Sequence, residues 1–238
     1  MKISKPQYKN EIEKIKKYLE PYGSERNRLG MQRFGIRFED AYGVNIPVLR
    51  KLAKNYKPNH ELALELWETK FHELMLMAIF IDDYKQVTKS QMNKWVKDFA
   101  SWDICDQCCS TLFEKTPYAF EKASEWSNSN EEFVKRAGFV MMAVIAVHHK
   151  NIEDIELFDF FPVIEKEAHD ERNFVKKAVN WALRQMGKRS KLLFDEAVDV
   201  AERIAKQESK SAKWIAKDAL REFKTKEDIY WKKRTKLG

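Results

Sequence analysis

The chain of 238 residues carries 44 Lys and Arg against 37 Asp and Glu, a net charge of +7, and 44% of its residues are apolar. This composition is typical of a globular protein and excludes a chain too polar to fold. Seven Gly and six Pro are about half of average usage, which disfavours an all-β fold with its many tight turns. We predict a single domain over residues 1–238.

The sequence also indicates where the protein works. Its longest apolar run, Gly138 to Val147, is about half of the roughly 20 residues that a membrane-spanning helix needs. The N-terminal residues are charged from the second onward and contain no apolar core. We therefore predict no secretory signal, no membrane partner and a cytoplasmic location.

The three cysteines lie within five residues of one another, at Cys105, Cys108 and Cys109. This crowding favours reduced thiols packed as small core residues over a disulfide framework. A structural zinc site would need a second pair of ligands, and no histidine has ligand spacing to these thiols. We expect no metal and no cofactor.

Apolar residues recur at intervals of three and four along most of the chain, which is typical of amphipathic helices. In chain order, the pattern includes Ile12, Ile15 and Leu19, then Leu62 and Leu66, then Ala197, Val200, Ala201 and Ile204. Breakers at residues 21–23, 57–59 and 116–117 cut the chain into helical lengths, and Pro47 marks a helix start after Asn45. We predict about a dozen helices and no sheet.

An internal repeat organises the second half of the chain. Residues 133–137 (FVKRA) return 41 residues later as 174–178 (FVKKA), and residues 182–184 (ALR) return 37 residues later as 219–221. Periods near 40 in an all-helical chain are those of HEAT or armadillo units, in which each helix pair buries its apolar face against the next pair. We predict an all-α fold, a right-handed α-solenoid of HEAT-like (armadillo-type) helical repeats.

Basic residues concentrate at the C-terminal end. From Lys206 onward there are eleven Lys or Arg against five Asp or Glu, a local net charge of +6. Such an end suits a polyanion such as nucleic acid, although a solvated lysine-rich helix face fits the charge equally well.

The repeat predicts that Arg136 lies beside Lys177, and Lys135 beside Lys176. Lys177, Trp181, Arg184 and Lys188 are spaced four, three and four, so they share one helix stripe. The cations of this stripe suit phosphates and the indole suits a base or sugar. From spacing alone, Trp181 fits a core position between helix layers as well.

A second cluster precedes the repeat, at residues 101–109. If Ser101 caps a helix, Trp102 and Asp106 lie four apart on one face, where an indole and a carboxylate share a site. Asp103 then falls in the first turn, where the helix dipole favours an acid. From the residues alone, Asp106 fits a surface acid or a lysine partner too.

Several segments together resemble the AlkD family of bacterial DNA alkylation repair proteins. They are residues 101–106 (SWDICD), 133–137 (FVKRA), 173–184 (NFVKKAVNWALR) and 214–221 (WIAKDALR), with a further likeness at 41–47 (AYGVNIP). The resemblance implies a HEAT-like solenoid that holds duplex DNA in a basic groove. It also implies a glycosylase that removes cationic N3- or N7-alkylated purines by hydrolysing the N-glycosidic bond.

The resemblance carries the family's catalytic residues onto Trp102, Asp106, Arg136 and Trp181, and a phosphate-contacting arginine onto Arg184. With the basic stripes, it assigns DNA contacts to seven cations: Lys135, Lys176, Lys177, Arg184, Lys188, Lys213 and Lys217. The expected partner is duplex DNA containing alkylated bases, bound by a monomer. Two alternatives remain: a catalytically silent DNA-binding protein of the same fold, and a HEAT-type scaffold for proteins.

Overall fold

The computed structural model describes residues 6–36, 38 and 40–227. These residues form thirteen α-helices and three short 3-10 helices, and their β pairing is limited to one isolated bridge between Asp40 and Phe71. The prediction of an all-α fold with about a dozen helices is confirmed. None of the described helices is both long and apolar enough to cross a bilayer.

The chain divides into two compact units, Met1–Thr116 and Pro117–Gly238, at one of the breakers seen in the sequence. The helices of the first unit are α1 (Pro6–Leu19), α2 (Glu25–Arg33), α3 (Ile46–Ala53), α4 (His60–Glu68), α5 (His72–Ile81), α6 (Lys89–Lys97) and α7 (Trp102–Thr111). Those of the second unit are α8 (Ala119–Ser127), α9 (Glu132–His148), α10 (Phe160–Glu167), α11 (Asn173–Arg189), α12 (Lys191–Ala205) and α13 (Lys210–Glu227).

Helix α5 is the centre of the first unit, since every residue from His72 to Ile81 is buried. From Leu74 to Ile81 the helix is apolar on every side, which is what a fully enclosed helix requires. Next to it, the Trp67 and Trp95 rings stack with centroids 4.0 Å apart and planes within 2° of parallel. The enclosed helix is therefore a rigid support for the helices that pack on it, α7 among them.

A buried carboxylate fixes the loop that leads into α3. Glu73, which is fully buried, accepts hydrogen bonds from the backbone N–H groups of Tyr42 (3.1 Å), Gly43 (2.7 Å) and Val44 (3.0 Å). Gly43 has φ of +78°, a conformation that side chains with a Cβ rarely adopt. Helix α3 then starts at Ile46 with Pro47 in its first turn, as the sequence predicts.

Helix α9 is the centre of the second unit, with every residue from Val134 to Ala146 buried. At Gly138, a Cβ would lie 2.3 Å from the backbone nitrogen of Ser127, so glycine is what lets α8 approach α9 this closely. The rings of Phe133 and Phe174, which are 41 residues apart, lie 5.3 Å from each other. This contact confirms that the repeated segments lie side by side on α9 and α11.

Candidate functional site

Helix α7 starts at Trp102, and its first turn is held by a buried contact between a carboxylate and a histidine. Asp103 Oδ2 lies 2.9 Å from His72 Nε2 on α5, and Ser101 Oγ donates to Asp103 Oδ1 at 2.6 Å. Burial opposes ionisation of Asp103, but the hydrogen bonds from His72 and Ser101 and the His72 charge outweigh it and lower the pKa of this carboxyl. Asp103 therefore has a structural role, because its contact with His72 connects α7 to α5.

Trp102 and Asp106 lie on one side of α7, four residues apart, and both are half-buried. The Trp102 indole Nε1 donates to the backbone carbonyl of Phe34 at 3.1 Å, which fixes the orientation of the ring. On the next turn, Gln107 accepts a hydrogen bond from Arg50 of α3 at 2.8 Å. The geometry therefore places the predicted indole and carboxylate on one anchored helix face.

A cavity of about 220 Å³ opens beside the first turn of α7. It is lined by Phe38, Lys70, His72, Met75, Asp98, Ala100, Ser101 and Ile104. Its charges are paired internally, since Lys70 Nζ lies 2.5 Å from Asp98 and His72 is bound to Asp103. Neither Trp102 nor Asp106 lines it, so the cavity is separate from the predicted catalytic face.

In the second unit, the structure places Lys135, a predicted DNA contact, and Arg136, a predicted catalytic residue, in the interior. Lys135 is buried, and its ammonium lies 2.5 Å from Glu167 and 3.4 Å from Asp170. Arg136 is also buried, and its guanidinium donates to the backbone carbonyl of Phe174 at 2.7 Å. Both cations meet acceptors in and beside the neighbouring helices, which draws them away from solvent.

The stripe on α11 is present, but two of its cations are paired with α13. Arg184 binds both Glu222 and Asp218, the latter at 3.1 Å, and Lys188 lies 3.1 Å from Glu222. Burial opposes ionisation of Glu222, yet the Arg184 and Lys188 hydrogen bonds and charges lower its pKa. The charges of Arg184 and Lys188, two of the predicted phosphate contacts, are thereby largely compensated.

Trp181 is half-buried on the same stripe. With the Gln185 amide oxygen turned toward it, the indole Nε1 donates to Gln185 at 2.9 Å, and the same oxygen lies 3.2 Å from Lys188 Nζ. Trp181 is therefore not a core residue enclosed between helix layers. Lys177, one turn earlier, is exposed, as are Lys213 and Lys217 on α13.

The sequence reasoning did not single out Trp214, which is 39% exposed on α13. The Lys176 ammonium lies 5.5 Å from the centre of its ring. Trp214 lies 37 residues after Lys177, which is the offset between the repeated segments 182–184 and 219–221. This offset is the sequence signal that pairs Trp214 with the basic positions of α11.

The three cysteines are buried and form no disulfide. Burial raises the pKa of the Cys108 and Cys109 thiols well above the ordinary value, so they remain protonated core groups, as the sequence predicts. Among the described residues, no group of three or more His, Cys, Asp or Glu side chains could hold a metal ion.

A family model described as DNA alkylation repair enzyme matches residues 15–223. The chain belongs to this family. The match covers all the segments on which the resemblance rests, from the loop before α3 to α13.

Two similar proteins come from Listeria. Uncharacterized protein Lin0241 of Listeria innocua is 24% identical over 170 residues, which is 70% of this chain and 74% of that protein. Uncharacterized protein Lmo0209 of Listeria monocytogenes is 23% identical over 170 residues, with the same shares covered.

A solved structure shows the same fold. It is described as a new family of proteins related to the HEAT-like repeat DNA glycosylases with affinity for branched DNA structures. It superposes with a TM-score of 0.74 and 22% identity, over 88% of this chain and 94% of the other. This family member therefore has a HEAT-like repeat fold, as predicted.

Proposed function

We propose that this protein is a DNA glycosylase that hydrolyses the N-glycosidic bond of N3- or N7-alkylated purines in duplex DNA. Membership of the DNA alkylation repair enzyme family supports the substrate class. The observation that carries the proposal is that Asp106 lies on the same face of α7 as Trp102, whose indole is anchored to the Phe34 carbonyl. We further propose a cytoplasmic monomer that needs no metal or cofactor.

The chemistry requires little acid catalysis. An alkyl group at N3 or N7 gives the purine a positive charge, so the base leaves with the electron pair of its bond to C1′. The deoxyribose becomes oxocarbenium-like, and a carboxylate stabilises that charge, as in glycoside hydrolysis. Asp106 takes this role and orients the water, whose oxygen bonds to C1′ while its proton passes to the carboxylate or to solvent.

The tryptophans supply apolar and π surfaces. We assign Trp102 to contact with the deoxyribose, where an indole face favours a nearby cation by roughly 0.5–2 kcal/mol. Trp181 keeps the catalytic role that the family resemblance implies. His72 packs next to α7, but its Nε2 is bound to Asp103. This arrangement fits a mechanism that does not need a strong general acid. We assign Arg136 to positioning: its bond to the Phe174 carbonyl holds the start of α11.

The test is release of free base from duplexes containing 7-methylguanine or 3-methyladenine. Asp106→Asn should lower the excision rate by about 100-fold or more, the scale of removing one transition-state contact, and leave binding to undamaged duplex unchanged. Asp199→Asn, the same change at an exposed carboxylate, is the control and should have no effect. Equal losses of binding and rate in Asp106→Asn would make Asp106 structural.

One observation favours a second candidate, a DNA-binding protein without excision activity. The solved structure with the same fold is described by its affinity for branched DNA, and as related to the glycosylases. Wild-type protein that binds duplex DNA but releases neither methylated base would establish this candidate. Hypoxanthine should stay in place under either proposal, because its release needs a proton donor.

A further inference from the structure

Trp214 is the most exposed tryptophan in the described part of the chain. It lies in the first half of α13, where its ring meets the Lys176 ammonium of α11 at 5.5 Å. The ammonium lies on one face of the ring, so a second planar group can stack only on the opposite face. An indole that is 39% exposed offers apolar area which water solvates poorly and a planar ligand would cover.

The repeat register places Trp214 against Lys176, the residue that precedes Lys177 on α11. Contacts between α11 and α13 recur at an offset of 38, from Lys176 to Trp214, from Asn180 to Asp218 and from Arg184 to Glu222. These contacts lie on three successive turns, so the two helices run side by side. Lys177 follows Lys176 in the same turn of α11, and its side chain, like that of Trp214, is exposed.

Cations surround this indole. Lys213 and Lys217 are exposed and lie one before and three after Trp214 on α13. Lys213 lies 3.2 Å from Glu208, but both side chains are largely exposed, and such a pair is weak enough for a phosphate to displace. Lys177 and Lys217 make no ion pair with another described residue. An exposed indole among lysines is the arrangement that binds a base together with its flanking phosphates.

We propose that Trp214 is a stacking site for an unpaired nucleobase, with Lys177 and Lys217 on the neighbouring phosphates. In a continuous duplex both faces of each base are covered by its neighbours, so an aromatic side chain finds a free base face only at a bulge, a strand end or a branch. The inference takes from the proposed function only that the partner is DNA. It adds a preference for DNA with an unpaired base.

The experiment compares three short duplexes by fluorescence anisotropy: one continuous, one with a single bulged adenine, and one with an abasic residue in the bulge. The two bulges carry the same phosphates and differ only in the base. Wild-type protein should bind the adenine bulge at least about fivefold more tightly than the abasic bulge, the low end of base–aromatic stacking. Trp214→Leu should remove this difference and leave binding to the continuous duplex unchanged, while Trp214→Phe should keep most of it.

Tyr84→Leu is the matched control, since Tyr84 is 38% exposed and lies in the other unit. Circular dichroism and thermal unfolding confirm that each variant folds. Equal binding to the two bulges by wild-type protein, or an unchanged preference in Trp214→Leu, overturns the proposal. Base release from methylated duplexes is measured on the same proteins, so loss of the stacking preference and absence of glycosylase activity are separate results.

Discussion

Replacing Lys135 distinguishes a buried structural cation from a DNA contact. Its side chain is 9% exposed, and its ammonium lies between Glu167 at 2.5 Å and Asp170 at 3.4 Å. Removing one partner of a buried ion pair costs about 3–5 kcal/mol because the other charge stays buried. The lower end applies here, since Lys166 remains 3.2 Å from Glu167 and Arg172 remains on Asp170.

Lys135→Ala should therefore lower the free energy of unfolding by about 3 kcal/mol. For a chain of this length that corresponds to a fall in Tm of roughly 6–12 °C. Burial opposes ionisation of Glu167, but the Lys135 and Lys166 contacts lower its pKa. A carboxyl whose pKa is lower in the folded than in the unfolded protein stabilises the fold at pH values above its unfolded pKa, and this stabilisation is lost as the pH falls. The unfolding free energies of wild type and variant should therefore converge in acid.

The assay is urea unfolding at neutral and acidic pH, with the salt dependence of duplex binding measured on the same proteins. Lys135→Ala should leave the slope of log K against log salt unchanged. Lys177→Ala is the matched control at an exposed lysine: it should change stability by less than about 0.5 kcal/mol and flatten the slope by about one unit. A stable Lys135→Ala with a flatter slope would falsify the structural reading and restore Lys135 as a phosphate contact.

Two further predictions concern the first unit. Glu73→Gln should destabilise the protein by about 2 kcal/mol. The substitution replaces one carboxylate oxygen by an NH2 group, a donor that would face the backbone N–H donors of residues 42–44. A change in urea midpoint equivalent to under about 0.5 kcal/mol would contradict this. Asp103→Asn should lower stability at neutral pH, and its deficit should shrink as pH falls, since the lowered pKa of Asp103 stabilises only the ionised form; a deficit independent of pH would show that the His72 pair contributes nothing electrostatic.

Helix periodicity and the repeat could be read from the sequence because both depend on apolar residues that pack locally. The 41-residue offset predicted that the two repeated segments lie side by side, and the contact between Phe133 and Phe174 confirms it. The cations were harder to place. Lys135 and Lys176 occupy the same position in two nearly identical segments, yet Lys135 is buried against acids while Lys176 lies half-buried over an indole.

The difference comes from the neighbouring elements. Glu167 at the end of α10 and Asp170 just after it supply carboxylates to Lys135, and Trp214 on α13 supplies a ring to Lys176. No short-range pattern in either segment encodes these partners. Local sequence was enough to place Asp103 in the first turn of α7. Its partner His72 lies 31 residues away in the sequence, so no local pattern could predict that contact.

Pairing, more than the number of cations, decides the net charge of the surface that α11 and α13 form. In their later turns, Arg184 and Lys188 are matched by Asp218 and Glu222, and the lowered pKa of Glu222 keeps that carboxylate ionised at neutral pH. This part of the surface is therefore close to neutral despite its basic residues, and its ion pairs fix the register of the two helices. The same register brings the Lys176 ammonium to the Trp214 ring. The ion pairs in the later turns therefore also fix the position of the lysines nearer the helix starts, whose positive charge is not compensated.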